Sequence, residues 1–241
     1  MTDLGGPAAR LVDDSRGHDA ARLNWLRAGV LGANDGIIST AGLVVGVAGA
    51  TTQIGPILVA GIAGLVAGAV SMALGEYVSV SSQRDAERAL IEQERREVEN
   101  DPEGELSELI GIYEAKGLSP ATARAVAEEL SARDPLAAHL DAELGLDPAA
   151  LTNPVHAAIS SGLSFTAGAI LPLLAVAAAP ASTRVAVTFV AVLLALAVTG
   201  GISARLGRAR RLRAVVRVVV GGAVAMVVTY AIGRALGVSG L

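Results

Sequence analysis

The sequence contains no cysteine, a single lysine and very few aromatic side chains. Without cysteine the chain has no disulfide, no thiolate metal site and no thiol nucleophile. Its three histidines stand in neither an HExxH nor an ExxH spacing, so a zinc peptidase or a ferritin-like di-iron centre has no support. The absence of a basic face excludes a nucleic-acid-binding protein. Together these absences predict that the protein is not an enzyme.

The sequence does contain several long apolar runs without charged residues. Hydrophobic residues make up 52% of the 241 residues, although aromatic residues make up only 2%. Several runs reach the ~18–20 residues that a membrane helix needs. The sequence therefore predicts an all-α integral membrane protein with five transmembrane helices. The predicted spans are residues 28–50, 55–82, 155–179, 185–204 and 214–236.

Polar segments divide the chain further. The sequence predicts a mostly helical soluble insert between spans 2 and 3, which begins as a direct continuation of span 2 and breaks at residues 101–104. Ser119 precedes Pro120 and is a predicted helix cap, and Asp134 with Pro135 is predicted to start a further short piece. The predicted divisions are an N-terminal tail with an interfacial helix (1–26), spans 1 and 2 (27–83), the insert (84–153) and spans 3 to 5 (154–241).

The arginines predict the orientation in the membrane. They collect before span 1, after span 2 and between spans 4 and 5, where residues 205–213 contain five. The other two connections contain only Arg184. Because positive charge is retained on the inner side, we expect the N-terminus and the insert in the cytoplasm and the C-terminus outside. The expected location is a bacterial plasma membrane.

Two carboxylates lie inside predicted spans, where ionisable groups are functional candidates. Asp35 and Glu76 are each eight residues from an arginine at the predicted membrane edge, or ~12 Å along a helix. Because spans 1 and 2 form a hairpin, we expect both at nearly the same depth. Met72 precedes Glu76 by four residues and shares its helix face. Nearby oxygen ligands are expected from Asn34, Ser39 and Ser71.

This set suits a divalent transition metal such as Fe²⁺ or Mn²⁺. Burial disfavours two charged acids in a site without metal, so protons are expected to exchange for the ion. The alternative interpretation has both acids paired with arginines near the headgroups and Met72 as apolar filler.

The insert carries a second candidate site. Glu94 and Glu97 are spaced i, i+3 before the predicted break, and Glu105 and Glu108 repeat the spacing after it. If the two helices fold back on each other, the four carboxylates converge. The alternative is a solvated acidic face interleaved with arginines.

At these residues the chain resembles the vacuolar iron transporter family. The resemblance implies a five-span homodimer that moves Fe²⁺, and often Mn²⁺, out of the cytoplasm in exchange for protons. It also implies an ion path lined by spans 1 and 2 between the subunits, and a metal-binding insert. The matching stretches are LGANDGIISTAGLVVGV, GLVAGAVSMALGEYVSVSSQRDAE, AAHLDAELGLDP and NPVHAAISSGLSFTAGAILPLL.

The resemblance assigns individual residues. The family's span-1 aspartate falls on Asp35 and its span-2 methionine on Met72, with Glu76 in the same motif. A further insert glutamate falls on Glu143, and this chain has His139 where the family can use methionine. Imidazole also ligates metals. The insert's glutamate pairs fall on Glu94, Glu97, Glu105 and Glu108.

We therefore expect an antiporter-type metal transporter of the bacterial kind, without a ferritin-like domain and without a prosthetic group. The expected partners are divalent metal ions, protons, membrane lipid and a second copy of the chain. A membrane-anchored metal sensor or storage module that moves no ions is the alternative.

Overall fold

The computed structural model describes residues 7–148, 151–207 and 210–238, with side chains from residue 29 onward except at 206 and 238. Regular structure in these ranges is helical throughout, which confirms the all-α prediction. The elements are α1 (Pro7–Ala50), α2 (Ile54–Asn100), α3 (Pro102–Ala115), α4 (Pro120–Arg133), α5 (Pro135–His139), a π-helical turn (Leu140–Leu144), α6 (Pro154–Ala178), α7 (Arg184–Leu206) and α8 (Arg211–Val238).

Five helices in the described part of the chain are long and apolar enough to cross a membrane, which confirms the predicted number. The protein is therefore a helical membrane protein. Span 2 lies in a helix of 47 residues, so the change from apolar to charged sequence occurs without a break in the helix. The spanning segments are Gly29–Ala50, Ile54–Asn100, Pro154–Ala178, Arg184–Arg205 and Arg211–Gly237.

The N-terminal region differs from the sequence interpretation. A tail followed by a separate interfacial helix is expected, but α1 is one helix from Pro7 to Ala50. Proline suits the first turn of a helix, and no other proline follows it before Ala50, so nothing forces a break. Residues 1–6 of the expected tail lie outside the described residues.

The chain forms two compact units. One contains Ser79–Asn153 with the described residues of the first 21, and the other contains Arg22–Val78 with the described residues from Pro154 onward. We call the first the insert unit and the second the membrane unit. Each has its own buried apolar cluster. That of the insert unit consists of Leu109, Ile110, Ala123, Ala127 and Ala138.

Side-chain caps set the helix starts in the insert unit. The Asp101 carboxylate accepts a hydrogen bond from the Gly104 N–H at 3.0 Å and caps α3, which therefore begins at Pro102. Of the predicted break at residues 101–104, only Asp101 is outside a helix. Ser119 accepts from the Thr122 N–H at the start of α4. Asp134 caps α5 in the same way. These caps satisfy N–H groups that a helix leaves without partners.

Glycines bring the helices of the membrane unit into backbone contact. A side chain at Gly36 of α1 would meet the backbone of Phe165 in α6. A side chain at Gly233 of α8 would meet the backbone of Gly46 in α1. Close approach through small residues is how membrane helices gain packing where the hydrophobic effect offers little.

A buried arginine at the start of α7 contacts the turn between α1 and α2 and the end of α6. Arg184 is 8% exposed, and its Nε donates to the Val176 carbonyl at 3.1 Å. Its Nη1 donates to the Thr52 carbonyl at 2.9 Å. The side chain therefore ties the α1–α2 turn to the last turns of α6.

The glycine contacts give a first testable prediction. Gly233→Ala is expected to destabilise the membrane unit by about 1–3 kcal/mol, because the new methyl group must push α8 away from α1. Gly221→Ala in the same helix is the matched control, since an added Cβ there meets nothing within 4 Å. Thermal unfolding in detergent, followed by circular dichroism, measures both. Equal loss of stability in the two variants would contradict the assigned contact.

Candidate metal sites

The polar cluster of the insert unit is assembled from four elements. Glu94 lies on the polar part of α2, and Glu105 lies on the first turn of α3. His139 is the last residue of α5, and Glu143 follows it in the π-helical turn. Four groups that the sequence spreads over 50 residues therefore face one another.

Distances place the imidazole of His139 at the centre of this cluster. Its Nδ1 lies 3.0 Å from Glu94 Oε1, 3.5 Å from Glu105 Oε2 and 3.8 Å from Glu143 Oε2. One ligand atom each from Glu94, Glu105 and His139 lies within 4.8 Å of the others. Ligands at ~2.0–2.2 Å from one ion lie about 3.0–3.5 Å apart in common geometries, so the spacing fits a shared metal.

Two atoms of the cluster are buried without a hydrogen bond. His139 is 1% exposed and Glu94 is 4% exposed. Within the described part of the chain, neither His139 Nδ1 nor Glu94 Oε1 has a hydrogen-bond partner. The two atoms lie at ion-pair distance, 3.0 Å apart, and an unsatisfied buried polar group costs about 1–3 kcal/mol, so a cation bound between them would satisfy both.

The pKa values of the cluster's glutamates also indicate a site that would bind a cation. Burial raises the pKa of Glu94 above the usual 4.5, and the charge of Glu143 adds to the rise while His139 opposes it. Burial also raises the pKa of Glu105, and His139 again opposes the rise. Raised folded-state pKa values mean that the folded insert without metal loses stability as the pH rises through them. A divalent cation would remove this penalty.

Backbone contacts hold the turn that carries His139 and Glu143. Gly145 has a φ of +60°, which lets the chain reverse after the π-helical turn. Lys116 donates from Nζ to the Ala142 carbonyl inside that turn at 2.8 Å. Sequence reasoning assigned no role to this single lysine, because the contact joins positions 26 residues apart.

Glu97 and Glu108, the remaining predicted ligands of the insert, lie outside the buried cluster. Both are exposed. Glu97 accepts a hydrogen bond from Gln93 at 3.1 Å and, with Glu105, lines a groove of about 610 Å³. The charges of both residues act on Glu105. Their negative charges therefore add to the negative potential at the cluster.

Part of the insert fits the alternative of a solvated acidic face. Glu92 is paired with Arg96 at 3.2 Å and with Arg95 at 3.7 Å, and all three side chains are at least half exposed. Exposed pairs of this kind contribute little to stability. The acidic helix thus has a solvated face beside its buried Glu94.

The membrane unit holds the second predicted site. Asp35 is exposed on α1 in the single chain, while Met72 and Glu76 are half-buried on α2. Among the described side chains, which exclude that of Arg27, no arginine lies within salt-bridge distance of either carboxylate. Leu43 of α1 contacts Gly64 of α2. This register places Asp35 about level with Met72 and puts Glu76 about one turn nearer the cytoplasmic end, rather than level with Asp35.

Phe165 positions the two helices beside this site, and sequence reasoning missed it. It is 2% exposed. Its backbone lies against Gly36, the neighbour of Asp35, and its ring lies against Gly68, one turn before Met72. In the sequence, only Gly36 and Gly68, the two glycines against which Phe165 packs, could have indicated this contact.

Two of the expected oxygen ligands are engaged elsewhere. Asn34 Oδ1 accepts a hydrogen bond from Thr199 of α7 at 2.6 Å. Ser39 Oγ donates to the backbone carbonyl of Asp35 at 2.6 Å. Ser71 is exposed on α2. The structure therefore leaves Asp35, Met72 and Glu76 as ligand candidates of the membrane unit, with Ser71 as the expected oxygen ligand that has no competing hydrogen bond among those described.

Five helices long and apolar enough to span a membrane, together with a carboxylate–histidine cluster at metal-ligand spacing in the insert unit, are typical of membrane proteins that handle metal ions. Comparison with known proteins identifies the family. The model of the VIT family matches residues 26–234, and the chain belongs to this family. It is a family of transporters and not of enzymes, and the resemblance found in the sequence is confirmed.

Named relatives cover most of the chain. A "vacuolar iron transporter" of Acanthamoeba castellanii is 45% identical over 211 residues, which are 87% of this chain and 77% of the relative. "Vacuolar iron transporter homolog 1" of Oryza sativa is 40% identical over 92% of this chain and 78% of the relative. "Vacuolar iron transporter homolog 2" of Arabidopsis thaliana is 37% identical over 91% of this chain and 88% of the relative.

Proposed function

We propose that the protein is a proton-coupled transporter of divalent transition metals, with Fe²⁺ as substrate and Mn²⁺ as a second substrate. The observation that carries the proposal is the buried pair of His139 Nδ1 and Glu94 Oε1, 3.0 Å apart and both without a hydrogen bond. The names of the relatives, which are iron transporters, support Fe²⁺.

The insert acts as the collecting site in this proposal. Residues 84–153 form a cytoplasmic metal-binding domain, with Glu94, Glu105, Glu143 and His139 as ligands and with Glu97 and Glu108 attracting the ion. The cytoplasmic position is supported by the arginines that flank the spans. The membrane is proposed to be a bacterial plasma membrane. Because five spans put the two ends of the chain on opposite sides, the C-terminus would lie outside the cell.

The membrane unit carries the ion across. Asp35 and Glu76 provide carboxylate ligands and Met72 provides a thioether, a mixed set that suits a transition metal. Two neighbouring carboxylates in a membrane bind protons when the metal leaves, and this exchange couples the two fluxes.

A homodimer completes this site. Asp35 is exposed in the single chain, and a charged carboxylate facing lipid is costly. A second copy packed on this face would cover the carboxylate and place two sets of ligands beside one path. On α2, the helix that carries Met72 and Glu76, an apolar surface for such packing is given by four side chains that are more than half exposed: Val59, Ile62, Val66 and Val70.

Flux into proteoliposomes tests the function. The purified chain is reconstituted with a metal-sensitive dye inside, and Fe²⁺ is added under anaerobic conditions with a proton gradient. The expected result is Fe²⁺ entry that exceeds the leak of empty liposomes and depends on the gradient. A sensor or storage module would bind metal in the same preparation without any entry, which would overturn the proposal.

A further inference from the structure

We propose that His139 sets the metal specificity of the insert, because its imidazole nitrogen makes the site accept Fe²⁺, Co²⁺ and Zn²⁺ and reject Mg²⁺ and Ca²⁺. The inference rests on the proposed role of the insert as a metal-binding unit. It adds the residue that discriminates between two classes of divalent cation.

The carboxylates alone would not discriminate. Glu94, Glu105 and Glu143 offer hard oxygen ligands, which suit Mg²⁺ and Ca²⁺ as well as Mn²⁺. Mg²⁺ is abundant in cytoplasm, so a collecting site made of glutamates would be occupied by the wrong ion. An imidazole nitrogen favours the later transition metals over these hard cations.

The structure presents this nitrogen to the site. His139 is 1% exposed, and its Nδ1 points into the group of three carboxylates at 3.0, 3.5 and 3.8 Å. In the described part of the chain that nitrogen makes no hydrogen bond, and the groups at ion-pair distance from it are the three carboxylates of the cluster. An ion bound between Glu94 and Glu105 would be within reach of it.

Burial strengthens the discrimination. Mg²⁺ gives up its hydration waters reluctantly and usually keeps several of them in protein sites. Glu94 is 4% exposed and His139 is 1% exposed, so the inner part of the cluster has little contact with solvent. An ion that binds through His139 must replace waters by protein ligands, which transition metals tolerate better.

The test compares His139→Glu and His139→Gln with the parent. All are full-length and detergent-purified, in an Asp35→Asn background that removes a ligand of the membrane site. Co²⁺ binding is measured by equilibrium dialysis with and without millimolar Mg²⁺, and the Co²⁺ environment by X-ray absorption. His156→Gln, a histidine substitution in α6 of the membrane unit, is the matched control.

In the parent and the control, Mg²⁺ is expected not to displace Co²⁺, and the absorption spectrum should contain the multiple-scattering signature of imidazole. In His139→Glu the ratio of Mg²⁺ to Co²⁺ dissociation constants should fall by about tenfold or more, and the signature should disappear. His139→Gln should lose Co²⁺ affinity without gaining Mg²⁺ affinity.

An unchanged ratio in His139→Glu, with the same circular dichroism spectrum as the parent, would overturn the inference. So would an imidazole signature that survives the substitution. Neither result bears on flux, so the proposed transport would stand. Conversely, a parent that shows the expected selectivity but moves no Fe²⁺ into liposomes would overturn the transport function and leave the assignment of His139 intact.

Discussion

Asp35→Asn is expected to reduce Fe²⁺ flux into proteoliposomes by at least about tenfold, to near the leak of empty liposomes. The substitution keeps the size of the side chain and removes the negative charge that binds both the metal and the exchanging proton. Asp35 lies about level with Met72, so no other described carboxylate replaces it at that depth. Initial rates at several Fe²⁺ concentrations provide the measurement.

Asp85→Asn provides the control for this change. Asp85 is exposed on the polar part of α2, so the same loss of charge occurs outside the proposed path. Its flux should equal that of the parent. If Asp35→Asn transports Fe²⁺ as well as the parent, Asp35 does not carry the ion and the membrane site is assigned wrongly.

Glu94→Gln combined with Glu105→Gln is expected to weaken metal binding by the insert by about 10–100-fold. The same change should not destabilise the insert without metal. Burial raises the pKa of both groups, so their charged forms oppose folding above those pKa values, and neutral amides remove that opposition. Equilibrium dialysis with Co²⁺ gives the affinity, and hydrogen exchange of the insert amides gives the stability.

Weaker metal binding without a loss of stability distinguishes ligands from structural residues. Glu128→Gln with Glu129→Gln on α4 is the control, because both side chains are exposed, and binding should not change. A double variant at Glu94 and Glu105 that keeps its Co²⁺ affinity, or that loses protection from exchange without metal, would assign these two acids to the fold instead.

Much of the architecture was available from the sequence because it depends on local patterns. The length of the apolar runs gives the number of spans, and the Ser119 and Asp134 caps give the starts of insert helices. The start of α1 was not available in this way, since nothing in residues 7–28 except the single Gly17 distinguishes a continuous helix from two.

The candidate sites were predictable only in part. Spacing indicated Glu94 and Glu105, but the same spacing indicated Glu97, which the structure leaves exposed. Which member of each pair faces inward depends on packing against α5 and the π-helical turn, and no local pattern encodes it. His139 and Glu143 came from the family resemblance alone.

Long-range contacts account for the other differences. Asn34 was a reasonable oxygen ligand by position, yet it is bonded to Thr199, 165 residues away in the sequence. The offset of about one turn between Asp35 and Glu76 follows from the register of α1 against α2. That register agrees both with the contact of Leu43 on Gly64 and with the short turn from Ala50 to Ile54, after which Glu76 lies further along α2 than Asp35 lies back along α1.

Simultaneous recording of metal and proton movement in one liposome preparation tests the central claim most directly. With Fe²⁺ outside and dyes for metal and pH inside, we predict that Fe²⁺ entry is accompanied by proton exit and that both are lost in Asp35→Asn. Fe²⁺ bound by the protein without entry, or entry with no change in internal pH, would contradict the account.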